Sequence, residues 1–296
     1  MDSQNKLIRS LKKGVLQRLQ YIEIQAYYTG LVTRADVARA FGISDAAATK
    51  DLNLYGQIAP GNLSYKHSQF GFVPTQTFTD AVSSFSAAEV LNMIANNVVN
   101  SGAPVTDTSL YGVTAEYLPL PVRLPIKQVL AQILRAIKSR SKLDIRYHSL
   151  SDREAGDRRR IEPHSLVHTG LRWHVRAYNE ATFDFRDFVL SRVTDAALVD
   201  EQAESSQQYD DDWVEYASVI LSPHPHLGEQ KRKNLAQDYG SNGDTFEIKV
   251  RRSLIGYLLQ RLAVDTTRDH SLNPSAYQLI VVNRDEIEPF AGWAFL

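Results

Sequence analysis

Arg158-Arg159-Arg160-Ile161-Glu162-Pro163-His164, then Leu171-Arg172-Trp173-His174-Val175-Arg176-Ala177-Tyr178, then Phe185-Arg186-Asp187-Phe188-Val189-Leu190-Ser191-Arg192 form the stretch that decides the fold. After a basic turn at Arg158–Arg160, apolar and polar residues alternate. A period of two is that of strands whose successive side chains leave opposite faces. In the middle run Trp173, Val175 and Ala177 take one side and His174, Arg176 and Tyr178 the other. In the last run Arg186, Phe188, Leu190 and Arg192 share a side. Guanidinium groups among apolar residues are costly unless an anion or a carboxylate meets them. Upstream, Leu143-Asp144-Ile145-Arg146-Tyr147-His148-Ser149 puts Tyr147 and Ser149 on the side of Leu143 and Ile145. A small curled sheet lined by Tyr, Ser, His and Arg suits a phosphate- or carboxylate-bearing ligand. The competing reading is an ordinary sandwich whose arginines bridge to Asp187 and Glu162, and alternation alone does not separate the two.

The spacing of the whole pattern does. A strand ending in Tyr147-x-Ser149, the segment Arg159 to Pro163, the strand Trp173 to Tyr178 and the run Arg186 to Arg192 together resemble the WYL-domain transcriptional regulators. Trp173-His174-Val175 stands where that family usually has Trp-Tyr-Leu. The resemblance implies an SH3/Sm-like β-barrel that senses an effector, followed by a C-terminal extension (WCX type) that helps join two subunits. The order of parts and the Trp-His-Val variant are most similar to regulators encoded beside phage-defence gene clusters, the BrxR/CapW type.

The chain has 296 residues, enough for two or three domains. With 43% hydrophobic and 23% charged residues its composition is that of a globular protein. It has no cysteine, which removes disulfides and thiolate metal sites. No apolar run approaches a membrane span and Met1-Asp2-Ser3-Gln4-Asn5 is no signal peptide, so a soluble, cytoplasmic protein is expected. The net charge of −1 hides a gradient. Residues 1–80 and 121–200 carry excess Lys and Arg, whereas 81–120 and 201–296 carry excess Asp and Glu. A basic front half with an acidic tail suits a binder of anions with a separate assembly domain.

The N-terminal part reads as a winged helix-turn-helix. Ile8, Leu11, Val15, Leu19 and Ile22 recur at helical spacing within a helix expected over Lys6–Tyr28. Thr33 and Asp36 make a capping box, Gly42 permits a left-handed turn, and Ser44 caps a third helix running to about Tyr55. On that helix Ala48, Leu52 and Tyr55 face a core. Ala46, Thr49, Lys50 and Asn53 form the opposite stripe, small and polar enough to enter a major groove. Asn62–His67 and Phe70–Val73 read as a hairpin joined by Ser68-Gln69. As a wing it would carry Lys66, His67, Ser68 and Gln69 to phosphate or the minor groove. Ser86 and Glu89 cap a connector helix with Val90, Ile94 and Val98 in a stripe. A linker rich in Gly and Pro follows over 101–121, and Pro125 sits near the first turn of a helix with Val129, Ile133 and Ile137 inward.

The tail opens on a polar boundary, Tyr209-Asp210-Asp211-Asp212. Strands Val214–Leu221, Thr245–Arg251 and Ala276–Val282 alternate with helices Glu229–Asp238 and Ser253–Ala263, a small α/β sandwich. No phosphate loop, nucleophile elbow or one-face histidine pair is present, and His224-Pro225-His226 reads as a kinked loop. No enzyme, metal or cofactor is expected.

The expected architecture is therefore α+β and multidomain. It has a DNA-binding unit over 1–78, a connector over 79–123, a sensor over 124–204 and a dimerisation unit over 205–296. The expected function is a homodimeric repressor on a pseudo-palindromic operator in double-stranded DNA. Thr33 and Ser44 join the stripe and wing residues on DNA. Tyr147, Ser149, His164, His174, Arg176, Arg186 and Arg192 would line a site for an anionic effector, a nucleotide or nucleic-acid fragment among the candidates. An activator, or a nucleic-acid adaptor working through the basic central domain, is the alternative.

Overall fold

In the computed structural model, the structure describes residues 7–82, 84–101, 113, 115, 118, 120, 121, 123–150 and 156–296. The expected linker over 101–121 falls largely outside them, as does the side chain of Val98. The chain divides into two compact units, 1–119 and 120–296. No helix among the described residues is long and apolar enough to cross a membrane.

The first unit packs helices α1 (Lys13–Thr29), α2 (Arg34–Phe41) and α3 (Asp45–Ile58) around Leu19, Ile22, Val37, Ala48, Leu52 and Tyr55. The single helix expected from Lys6 is interrupted. The Ser10 hydroxyl folds onto the Leu7 carbonyl at 2.7 Å and Lys12 is extended, so α1 starts at Lys13. Ile8, Leu11 and Val15 still pack against the core. The hairpin pairs β1 (Leu63–Lys66) with β2 (Gly71–Pro74), and its tip is longer than two residues, with one tight turn at His67–Gln69. Val32 adds a bridge to Phe72, two backbone hydrogen bonds of 2.9 Å, tying the hairpin to the start of α2. Gly71 permits that approach: a Cβ there would lie 2.7 Å from Leu31 and 3.0 Å from the Val32 carbonyl.

Buried Glu23 fixes the segment that follows the hairpin. Its carboxylate accepts from the Tyr55 hydroxyl (2.9 Å) and from the backbone N–H groups of Ala81 and Val82. Asn62 donates to the Tyr55 oxygen (3.0 Å) and to the Thr79 carbonyl (2.8 Å). Helix α4 (Ala87–Ser101) opens with the expected Ser86–Glu89 box, and Val90 and Ile94 pack on the same core.

In the second unit, α5 (Lys127–Ser139) covers an antiparallel sheet of β3 (Ser141–Tyr147), β4 (Asp157–His168), β5 (Trp173–Asn179), β6 (Asp184–Val189) and β7 (Val193–Gln202), in the order β6-β5-β4-β3-β7. Pro125 lies just outside α5, whose N-cap is Ile126. The expected turn at Arg158–Arg160 is continuous strand, and Leu190–Arg192 leaves the strand as a single 3-10 turn. Proline cannot donate to a ladder, and inside a sheet it is found at bulges. Here the register shifts between Pro163 and Ser165, so His164 drops out of the β4–β5 pairing. Bulges of this kind re-aim side chains.

The C-terminal part pairs β8 (Tyr216–Pro223), β9 (Phe246–Arg251), β10 (Val264–Asp265) and β11 (Leu279–Val281) in the order β10-β11-β8-β9. Helices α7 (Ile255–Arg261) and α8 (Arg284–Ala291) bury Ile255, Leu259 and Ile287 against it, while α6 (Glu229–Asp238) follows β8. Sequence reading places β8 two residues early, because Asp211–Val214 is a helical turn, and it misses β10 and α8. His224 is buried, with one ring nitrogen 3.2 Å from Asp265 and the other accepting from the His226 N–H, a structural role.

Tyr55→Phe leaves the Glu23 carboxylate buried without one of its donors. It should cost the first unit about 1–3 kcal/mol, read as an earlier transition in urea unfolding of the full chain.

Candidate nucleic-acid interface and effector site

Each end of the helix-turn-helix is fixed by its own chemistry. The Thr33 hydroxyl and Asp36 carboxylate cap α2 reciprocally, Gly42 sits at φ +60°, and Ser44 accepts from the Ala47 N–H at 3.3 Å to start α3. Arg18 on α1 holds the buried Asp51 through two hydrogen bonds of 2.6 and 3.2 Å, which sets the rotation of α3 about its axis. With Ala48, Leu52 and Tyr55 inward, Ala46, Thr49, Lys50 and Asn53 are all exposed. Lys66, His67, Ser68 and Gln69 are exposed on the hairpin.

A cleft of about 570 Å³ lies between helix and hairpin. Thr33, Thr49 and Asn53 line it from one side, Tyr65, Phe70 and Phe72 from the other, and Arg34 adds a cation beside Asp45. Arg34, Tyr65 and Phe70 escape a reading based on hydrogen-bonding side chains. An apolar residue at a hairpin tip, next to a glycine, is the signal that marks Phe70.

The seven residues expected to share an effector site separate into groups. His164 and Arg176 meet at Asp210. Arg176 donates to both its oxygens at 2.7 and 2.9 Å, and a His164 ring nitrogen lies 3.1 Å from Oδ2. Asp210 is buried, so part of the expected polar boundary is an internal pin. It also accepts from the Trp213 N–H and so caps the turn that leads into β8. Burial pushes its carboxyl up, but the hydrogen bonds from Arg176 and His164 outweigh this and hold it at about 2. Arg186 stands apart, exposed and paired to Asp184 at 2.7 Å.

Tyr147, His174 and Arg192 form the second group. The buried Tyr147 hydroxyl accepts from the Val189 N–H at 3.2 Å, Val189 pairs with His174 across the sheet, and the Arg192 carbonyl accepts from the His148 N–H. Ser149 follows, half-buried. His174 is 1% exposed, and neither ring nitrogen has a hydrogen-bond partner among the described residues. Its ring lies 4.9 Å from that of Tyr257 on α7, whose hydroxyl donates to Asp187 at 3.2 Å. The polar side of β5 is therefore covered by the C-terminal part, with Trp293 behind Tyr257 at 5.1 Å. Burial, then the positive charges of Arg172, Arg192 and Arg123, depress the His174 pKa to about 4. These three arginines make no ion pair among the described residues, whereas Arg159, Arg160, Arg176 and Arg186 each face a carboxylate. Arg123, Arg172, Asp210 and Tyr257 were not among the expected site residues. Arg172 was legible, adjacent to the Trp173 strand.

In the unfolded chain His174 takes a proton near 6.5, but in the folded chain only near 4. Between those values the unfolded state binds more protons, so stability that is complete above pH 6.5 falls as the pH is lowered. Asp210 contributes fully above its ordinary 3.8 and its contribution is lost as the pH falls through about 2. His174→Gln should flatten the pH dependence of melting between 6.5 and 4. Asp210→Ala should destabilise at neutral pH by about 3 kcal/mol, the scale for breaking a buried ion pair.

Residues 14–96 match the model of the BrxR transcriptional regulator winged helix-turn-helix domain. Residues 128–198 match the WYL domain, and 216–287 the BrxR transcriptional regulator C-terminal dimerization domain. Similar curated proteins are the DNA-binding transcriptional repressor CapW of Escherichia coli (strain KTE188), 31% identical over 93% of this chain and 91% of that protein, and CapW of Pseudomonas aeruginosa, 30% identical with the same coverage. CapW of Stenotrophomonas maltophilia is 29% identical. Among solved structures, proteasome accessory factor B/C of Arthrobacter aurescens is 17% identical with a TM-score of 0.26. That match covers 95% of this chain and 48% of the other, so this chain spans about half its length. The matched families are regulators and not enzymes. The chain belongs to the WYL-domain transcriptional regulators of the BrxR/CapW type.

Proposed function

We propose that this protein is a homodimeric repressor that binds a pseudo-palindromic operator and is released by an anionic effector at its WYL domain. The observation that carries the DNA-binding part is the exposed stripe of α3, Ala46, Thr49, Lys50 and Asn53, set beside a hairpin across a shared cleft. In this reading Asn53 pairs with adenine, Lys50 with guanine or phosphate, and Ala46 with a thymine methyl. Thr33 and Ser44 lie at helix N-termini and Lys66 to Gln69 on the wing, positions that favour the backbone. Domain boundaries near 79, 124 and 205, and a role beside a phage-defence gene cluster, belong to this reading and rest on the family resemblance. The central sheet fits a curled, SH3-like barrel in that β3–β7 and β4–β5 carry register shifts, the devices that bend strands.

For the effector, the reading favours the cluster Arg123, Arg172 and Arg192 around His174, with Tyr147 and Ser149 beside it. Cations without a carboxylate attract phosphate. His164 and Arg176 act at one remove, because they hold Asp210 and with it the chain leading into β8. An effector that binds one arrangement of these groups better shifts the repressor between states.

Fluorescence anisotropy on the chain's own upstream region tests the DNA reading. Asn53→Ala should cost about 1–3 kcal/mol at one base position. Lys66→Ala should weaken all sequences alike and reduce the salt slope by about one. Wild-type behaviour from both variants would overturn the assignment.

The effector reading is checked by titrating a short single-stranded oligonucleotide against wild type, Arg192→Ala and Arg186→Ala. Release of operator should be lost with Arg192→Ala at unchanged melting temperature and retained with Arg186→Ala, whose guanidinium is held by Asp184. Loss with Arg186→Ala alone would move the site to the exposed face of β6.

A further inference from the structure

We infer that Phe70 is a DNA wedge: its ring enters the minor groove of the bound duplex and opens a base step there. The inference rests on the DNA-binding reading above and adds a residue that none of the base-pairing or phosphate contacts includes. Phe70 stands at the tip of the hairpin with 81% of its surface exposed, among the most exposed large apolar side chains of the chain. It holds φ at +50°, in the left-handed region. That region is uncommon for any residue but glycine and an outlier for a bulky one. Asparagine or glycine would occupy the position more cheaply. The adjacent glycine, Gly71, is already committed to the close approach with Leu31, Thr33 and Val32. An aromatic ring held in the left-handed region while most of its surface faces solvent buries little in the free chain, which points to a benefit in a complex.

The surroundings name the partner. Phe70 lines the same cleft as Thr49 and Asn53 of the reading helix, so whatever the helix engages passes the hairpin tip. The hairpin from Leu63 to Pro74 carries Lys66 and His67 and no acidic residue. Its tip end is stiffened by Tyr65 packed edge-on against Phe72 at 5.2 Å and against His67 at 5.0 Å. A stiff hairpin that delivers one apolar ring on the same tip as Lys66 suits a groove walled by phosphates. Apolar side chains that enter the minor groove unstack a step and kink the duplex. Pyrimidine–purine steps open most easily, so Phe70 selects for deformability at a position where no hydrogen bond reads a base.

The test uses the full chain and a duplex selected by the protein from random-sequence DNA, with 2-aminopurine placed at successive steps. Phe70→Asn, which suits the left-handed backbone, should melt no lower than wild type. It should bind about tenfold more weakly, with an unchanged salt slope because no charge is removed. The rise in 2-aminopurine fluorescence at one step should vanish, and Phe70→Leu should retain most of both signals. Unchanged affinity and an unchanged 2-aminopurine signal in Phe70→Asn would overturn the wedge. So would a fall in melting temperature that accounts for the lost binding, since the residue would then be structural. Asn53→Ala is the reference: if it weakens binding while Phe70→Asn does not, only the wedge fails. If neither variant alters binding, the DNA reading fails with it.

Discussion

Asp210 has no place in water, and the second unit is built on that fact. A buried carboxylate is tolerable only when cations and donors surround it. Arg176 supplies a two-pronged contact, and His164 is turned toward it by the bulge at Pro163. Both side chains are buried against this acid, and Arg176 has Asp187 at 3.6 Å as a second carboxylate. The acid in turn belongs to the chain that leaves the central sheet for the C-terminal one. One ionic contact thus satisfies three groups and sets where Trp213 and β8 begin.

The same contact explains what sequence could and could not foretell. The alternation in Trp173 to Tyr178 is correct: Val175 and Ala177 join the core under α5, and His174 and Arg176 leave on the opposite side. What that alternation cannot say is what lies opposite the polar side. An open pocket is the natural expectation, yet Tyr257 and Asp210 cover it. Asp210 itself is hidden in an acidic run that composition assigns to solvent, because its partners are more than thirty residues away. Long-range pairing leaves no local trace. The first unit was more legible because its determinants are local: a capping box at Thr33, a left-handed Gly42, a cap at Ser44 and inward residues at helical spacing. The arginines show the limit for sites. Arg186 and Arg192 look equivalent in the sequence, but a neighbouring aspartate occupies one and leaves the other.

The pattern of charge sharpens this. Overall the chain is close to neutral, and Arg159, Arg160, Arg176 and Arg186 of the central sheet are each answered by a carboxylate within the protein. Arg123, Arg172 and Arg192, which have no ion pair among the described residues, act together on a histidine whose proton affinity burial and their positive charges lower. Local concentrations of positive charge such as this are concealed by the net charge.

The three tryptophans also have an optical consequence. Trp173, Trp213 and Trp293 all lie in the second unit. Trp213 sits beside the Asp210 pin with the Arg251 guanidinium 4.7 Å above its ring, and Trp293 stands against Tyr257. The unit that carries α3 and the hairpin is dark at wavelengths that excite indole alone. Any change in indole emission when DNA is added must then arise from events outside the first unit's own chromophores. The native chain is its own reporter of whether the two units speak to each other, with no label attached.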